Sequence, residues 1–444
     1  MSLKIKYLFI FLAYVALTQL NAQGSNINSP FSRFGIGDLL SESPMSIRQM
    51  GGVGTSFIDA YHANFDNPAS LAHLRSTAFD VGIALDYAKL KDANNESSHW
   101  YGNLGYLSLA FPMRNPLNEV FSREKHEFFW SMGFAVMPNS RTSYAITSEG
   151  ENEAGPISRN FTGSGGSYKA MWSNALKYKN LSLGVNLGAL FGKFEYERSI
   201  SFPGSAGAYN DEFNTSYSMS SLYAKFGLIY LQRLNKASEE NVVNPNAKLL
   251  SFGLTYKPNL SVATEADISN LAVQRLGAVI LADTLQSSIG MAGMGTLPAE
   301  LGFGITYYGG NTYGISLDIR HTFWSNYKMD PAPEQFSNTN RLAVGGFWKP
   351  DYDDINSFFN RVSYKLGVYL EEDPRLINGD QISSYGLTLG LGMPLSWQRK
   401  FSNLDLGVTI GKRSVDNILS ESFAKITMGF TFNDSDWFIK RKFN

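Results

Sequence analysis

The chain has 444 residues, with 38 Lys and Arg against 39 Asp and Glu, a balance that gives no electrostatic case for binding nucleic acid. Cysteine is absent, which excludes a disulfide framework, a thiolate nucleophile and a Cys-ligated metal. Aromatic residues make up 14% of the chain beside 41 Gly, a bias that suits membrane-interface girdles and crowded barrel interiors but also soluble β-sandwiches, so the pattern along the chain must decide.

Lys4 and Lys6 precede an apolar run from Tyr7 to Leu17, and Leu20-Asn21-Ala22 offers a cleavage point before Gln23. Residues 1–22 therefore read as a cleaved export signal. The run is shorter than the ~20 residues a spanning helix needs. Losing both lysines takes the net charge of the mature chain to about −3. No later apolar stretch has spanning length, so a membrane location requires strands, and a closed barrel is the sheet whose backbone is satisfied in lipid.

Residues 23–77 are rich in Gly, Ser, Asn and Ala and lack alternation. From Ala78 the period becomes two: Phe79, Val81, Ile83, Leu85 and Tyr87 share one face, and Asp80, Gly82, Ala84, Asp86 and Ala88 the other. Similar runs predict strands near 78–90, 104–112, 128–138, 166–177, 181–197, 216–233, 249–268, 297–308, 312–326, 340–349, 362–371, 383–394, 404–412 and 424–432, about fourteen in all. Pro258 interrupts one of them, and a bulge or bend there keeps the count even, as a single-chain bacterial barrel requires. Tight connections are expected at 178–180 and 309–311, with long loops at 139–165, 198–215 and 269–296 on the opposite side. Short periplasmic turns and long outer loops would put both chain ends in the periplasm. The last strand alternates Ile426, Met428, Phe430 and Phe432 against small and polar residues, and a short basic tail, 433–444, follows it.

These readings give an all-β transmembrane antiparallel barrel over 78–432 with residues 23–77 folded inward as a plug; a disordered periplasmic tail is the alternative for that segment. Its candidate plug residues are Phe31, Arg33, Phe34, Arg48, Gly51, Gly52, Asn67, Pro68 and Ala69, and Arg33, Arg48 and Asp66 are expected to pair with lumen-facing groups such as Asp80 and Asp86. The stretch 269–296 places Leu271, Val273, Leu276, Val279, Ile280, Leu281, Met291 and Met294 in a supposed water-facing loop. That cluster reads as a capture groove for a hydrophobic ligand, as a docking face, or as packing over the barrel mouth.

Several stretches resemble the FadL family of outer-membrane transporters for long-chain fatty acids and other hydrophobic compounds. They are Arg48-Gln49-Met50-Gly51-Gly52-Val53-Gly54 with Asn67-Pro68-Ala69-Ser70-Leu71-Ala72, then Gly253-Leu254-Thr255-Tyr256-Lys257-Pro258. Leu297-Pro298-Ala299-Glu300-Leu301-Gly302-Phe303-Gly304-Ile305 follows, through Phe323-Trp324-Ser325-Asn326-Tyr327, and then Arg341-Leu342-Ala343-Val344-Gly345-Gly346. The resemblance implies a fourteen-stranded barrel with an N-terminal hatch, ligand capture at outer loops, and sideways release into the bilayer through a wall opening. The opening Asn28–Gly35 and the ending Trp437–Asn444 resemble a Bacteroidota-type branch, some of whose barrels serve secretion or assembly machines.

No enzyme is indicated. The five His residues (62, 73, 99, 126 and 321) show no ligand-like spacing, and neither a GxSxG elbow nor a phosphate-binding loop is present. Asp351, Asp353 and Asp354 lack the Gly that an EF-type turn requires. No metal and no cofactor is implied. The expected location is the outer membrane of a Gram-negative cell. The partners are outer-membrane lipid and a hydrophobic small molecule taken up passively, or, on the alternative reading of a structural or accessory subunit, other outer-membrane or surface proteins of a secretion or assembly complex.

Overall fold

The computed structural model describes residues 29–92, 95–114, 127–152, 155–205, 207–235, 247–276, 279–330, 334–397, 400–415 and 419–434. The expected export signal at 1–22 and most of the expected basic tail at 433–444 lie outside the described residues.

Fourteen antiparallel strands form a closed barrel. In chain order they are β1 (Thr77–Lys91), β2 (Glu96–Pro112), β3 (Phe128–Asn152), β4 (Gly155–Tyr178), β5 (Leu181–Ser201), β6 (Asn210–Arg233), β7 (Lys248–Lys257 and Leu260–Leu276), β8 (Val279–Leu297 and Glu300–Gly309), β9 (Tyr313–Thr322), β10 (Thr339–Trp348), β11 (Ser363–Ile377), β12 (Asp380–Trp397), β13 (Lys400–Val415) and β14 (Leu419–Asp434). The ring closes where β14 pairs with β1 from Ser420↔Lys91 to Asp434↔Thr77.

The predicted alternation is realised inside out. Leu183 is 52% exposed on the outer face, whereas Lys225 is 1% exposed within. Phe79, Ile83, Leu254, Phe303, Leu389 and Ile426 likewise point outward, while Asp80, Asn186, Thr255, Asp318 and Asp405 are buried. In water this distribution would expose the hydrophobic surface and bury the polar groups; in a bilayer it is the stable one. Among the described residues no helix is long and apolar enough to cross a membrane.

β7 and β8 are each two pieces of one strand. Pro258 lacks a ladder donor, and the break at Pro258-Asn259 faces a matching break at Pro298-Ala299. The pairing register is the same on both sides of it, from Leu297↔Leu260 to Glu300↔Lys257. The bend preserves the even count, as the sequence suggested.

The wall is uneven, and here the sequence reading is corrected. The stretches 139–165, 198–215 and 269–296, expected as long outer loops, are mostly strand. β3 to β6 run for 25, 24, 21 and 24 residues, while β9 and β10 have 10 each. Ten residues cross a bilayer, so β3–β8 rise beyond the membrane thickness as a six-stranded sheet. The predicted strand 312–326 also ends early, because after Thr322 the chain turns inward through a 3-10 turn at Trp324–Asn326. Ser, Thr, Asn and Gly are frequent in the extensions of β3–β6, and apolar and polar residues do not alternate strictly along 269–296, so the period was too weak to read as strand. The tight turns at 178–180 and 309–311 are present.

Residues 29–76 lie inside the ring. They reach inward-facing groups all round it: Gly51 N donates to Thr388 Oγ1 at 2.8 Å, Thr55 N to Asp318 Oδ2 at 2.8 Å, Ile58 N to the Tyr308 hydroxyl at 2.7 Å, and Asn186 Nδ2 to the Phe65 carbonyl at 2.8 Å. Wall glycines make room for this backbone. A Cβ at Gly253 would stand 2.0 Å from the Thr55 carbonyl oxygen, and one at Gly345 2.0 Å from that of Met50. Gly253→Val with Gly345→Val is therefore expected to weaken seating of the segment by about 1–3 kcal/mol. Faster protease cleavage within residues 29–76, in a barrel that keeps its heat-modifiable gel mobility, is the expected readout; unchanged cleavage would refute the contact.

Candidate functional site

Three charged clusters join the inner segment to the wall. In the first, Glu42 accepts from Lys169, from Lys225 Nζ at 2.9 Å and from the Tyr223 hydroxyl at 3.1 Å. Asp66 accepts from the same Lys225 at 3.0 Å, from Arg320 at 2.8 Å and from Ser43 Oγ at 2.9 Å. Burial alone would raise the Asp66 carboxyl, but Arg320 and Lys225 hold it well below the usual range. In the second, Asp38 accepts from Arg375 and Arg413, each at 2.8 Å, and Arg413 lies 4.5 Å over the Phe31 ring while bonding Glu421 at 3.1 Å. In the third, His62 bridges Asp59 at 3.1 Å and Asp405 at 3.0 Å, and Asp405 also meets Lys365.

The candidate residues of the segment take up their positions beside these clusters. Phe31 is fully buried, and Arg33 stacks 4.4 Å over Phe161. The Phe34 carbonyl accepts from Gly37 N at 3.1 Å. Arg48 donates to the Ser43 and Ser41 carbonyls at 2.7 and 2.6 Å. Gly51 and Gly52 turn the chain at φ 73° and 76°, a region that favours Gly. Asn67 caps the 3-10 turn Pro68–His73 by accepting from Ala69 N at 3.0 Å, and Pro68 and Ala69 lie against Gly184. Asp66 does pair with lumen-facing groups, which are Lys225 and Arg320 in place of the expected Asp80 and Asp86, while Arg33 takes a ring and Arg48 backbone carbonyls. Lys169, Lys225, Arg375 and Arg413 were missed by the sequence reading. For Lys169 and Lys225 the signal was present as single charges at inward positions of amphipathic strands, whereas Arg375 and Arg413 lie in charged runs at strand ends.

The apolar set expected in a loop stands on the β7–β8 hairpin instead. Val273 is buried, Leu271 is part-buried, and Ile280, Leu281, Met291 and Met294 are exposed. Leu276 and Val279 pair across the tip, and their side chains lie outside the described residues. Ile280 and Met294 are roughly 46 Å apart along the strand at its usual rise, so the set does not converge on one small-molecule pocket.

The wall has an opening between β2 and β3. β1 pairs β2 along its length, but β2 pairs β3 over only Leu107–Pro112 against Ser131–Val136. Beyond this, β3 shifts register between Pro138 and Ser140, and its edge at Ser140-Arg141 takes Leu39 and Asp38 of the inner segment. A groove of about 1470 Å³ begins here at Asn103, Leu104 and Val136 and runs across the tall sheet. Its lining mixes Leu104, Tyr168 and Phe191 with Lys193, Glu195, Glu197 and Ser216. Pro138 and the pair Gly165-Gly166 were the available sequence signals for this irregularity.

Removing Lys225 takes a cation from two buried carboxylates, leaving Asp66 to Arg320 and Glu42 to Lys169. Lys225→Met is expected to cost about 3–5 kcal/mol, read as a lower temperature for the heat-modifiable gel shift; an unchanged transition would mean the cluster contributes nothing. Burial disfavours charge on His62, yet Asp59 and Asp405 more than offset this and push its pKa up from 6.5 to about 10. Its contribution is thus full below pH 6.5 and lost as pH rises through about 10. Protease protection of residues 29–76 is expected to fall over that window, and His62→Gln to abolish the dependence; a His62→Gln profile identical to that of the parent chain would reject it.

A family model described as BamG matches residues 4–444. No curated protein matches the chain. Among solved structures, the toluene transporter TodX of Pseudomonas putida is similar at 15% identity and a TM-score of 0.57, covering 90% of this chain and 100% of its own. The toluene transporter TbuX of Ralstonia pickettii gives 14% and 0.54, covering 89% and 99%. A FadL homologue of Pseudomonas aeruginosa gives 13% and 0.51, covering 89% and 98%. At these identities the likeness concerns the fold: this barrel has the architecture of FadL-type channels.

Proposed function

The chain belongs to the BamG family, and from that premise we propose that it is an accessory subunit of an outer-membrane protein secretion or assembly complex, a plugged barrel that serves as a membrane scaffold. The observation that carries this reading is the inner segment's attachment. Glu42, Asp66, Asp38 and His62 tie it to the wall through buried ion pairs. Breaking even one buried pair costs about 3–5 kcal/mol, so a path straight through the lumen would have to undo several. The tall sheet supports the same reading, since it projects a large polar-lined surface that lipid embedding does not require.

A second reading, passive uptake of a hydrophobic small molecule, is favoured by the opening between β2 and β3 beside the groove. In it, a compound would enter from the groove and leave sideways past Leu104 into the bilayer, with the segment at 29–76 again closing the lumen. The polar residues Lys193, Glu195 and Glu197 along the groove weigh against apolar capture there.

Purification in mild detergent with native mass analysis separates the two. Stoichiometric protein partners are expected for the accessory subunit. A lone barrel carrying co-purified lipid would overturn that reading in favour of uptake.

A further inference from the structure

The tall sheet ends in an unguarded edge. At its foot, Gly295 and Thr296 of β8 take Met329 and Lys328 in a two-residue bridge, and Asp330 N donates to the Met294 carbonyl at 3.3 Å. From Gly293 to the tip at Val279, β7 pairs one side of β8, and among the described residues no strand pairs the other. The cause lies in the neighbour: β9 stops at Thr322 and the chain turns into the ring, leaving β8 to continue alone. A β-strand bonds on two sides, so along Val279–Gly293 one row of backbone N–H and C=O groups faces outward without a ladder.

Edge strands that stay unpaired are usually guarded by lysine, proline or a short length. Val279–Leu297 is 19 residues long, carries a single charge at Asp283, and has no Pro. Its bulges, between Thr284 and Gln286 and between Ser288 and Met291, bend the strand but leave the edge uncovered. Ile280, Leu281, Leu285, Met291 and Met294 are exposed, and Ile289 is 81% exposed.

We propose that this edge is a strand-addition site occupied by an extended segment of a partner protein. The inference rests on the accessory-subunit reading and names its contact. A repeating row of backbone donors and acceptors is complementary to another polypeptide in β conformation. The exposed apolar residues select a segment with apolar side chains at alternate positions. Charge sets the rest: Glu265, Asp267, Asp283 and Asp330 outnumber Arg275 and Lys328 on the hairpin and at its foot, so the segment carries Lys or Arg. The same charges argue against a second copy of this chain. The other far edge of the tall sheet, on β3 beyond Arg141, holds Glu149 and Glu151, and like charges placed side by side repel.

The test places a photo-crosslinking amino acid at Ser287 of the full-length chain in its native outer membrane. An adduct with one polypeptide is expected, its crosslinked fragment alternating apolar residues and carrying at least one Lys or Arg. Leu285→Lys with Ile289→Lys, in a barrel that keeps its heat-modifiable mobility, should reduce the adduct about tenfold, the loss of roughly 1.4 kcal/mol of contact. Leu285→Val with Ile289→Val should retain it. No adduct at Ser287, an adduct undiminished by the lysines, or one formed with lipid or a second copy would overturn the site. If native purification still yields stoichiometric partners in that case, the edge site falls while the accessory reading stands; if it yields none, both fall.

Discussion

A peptide group in hydrocarbon has no water to bond, so each wall strand must find partners on both sides over the thickness of the membrane. The β14–β1 ladder meets that demand by closing the ring, and everything else follows from it. Once the ring is closed, outward side chains must be apolar and inward ones share a confined space. Lipid surrounds Leu183, Phe226 and Leu389, while Lys225, Asp318 and Asp405 are buried against the segment inside the ring.

The inner segment resolves the problem this creates. Inward charges at a barrel's centre are costly unless paired, and the segment supplies Asp38, Glu42, Asp66 and His62 as partners for wall residues far apart in sequence. Glycines at positions such as 253 and 345 let its backbone come close enough for those bonds to form. The segment and the wall are therefore one polar core surrounded by a greasy shell, the reverse of a soluble domain.

Outside the membrane the closure rule lapses, and the wall is free to depart from it. The two irregularities of the sheet are the gap between β2 and β3, which begins where β2 parts from β3 beyond Leu107, and the lone edge of β8, which begins where β8 outruns the shorter β9. They are the places where a molecule other than this chain could be received. The gap suits a small apolar compound moving sideways, and the edge suits a polypeptide. The firm anchoring of the segment inside the ring makes the outer sheet, and not the lumen, the surface on which function is most economically placed.

The sequence by itself determined the barrel. Alternation is local chemistry, so Phe79 to Ala88 announced a strand with a greasy face, and Pro258 announced a bend that kept the strand count even. The turn at Asn67-Pro68 could be read because cap chemistry is also local. The partners of Asp66 could not be read, because Lys225 and Arg320 come near it only when the ring closes. Nor could the extent of β3–β8: strands in water keep no strict apolar period, so 269–296 looked like a loop until its pairing with a neighbour was seen. Which edges remained unpaired depended on where β9 turned inward, a matter of tertiary packing that no single stretch of residues encodes.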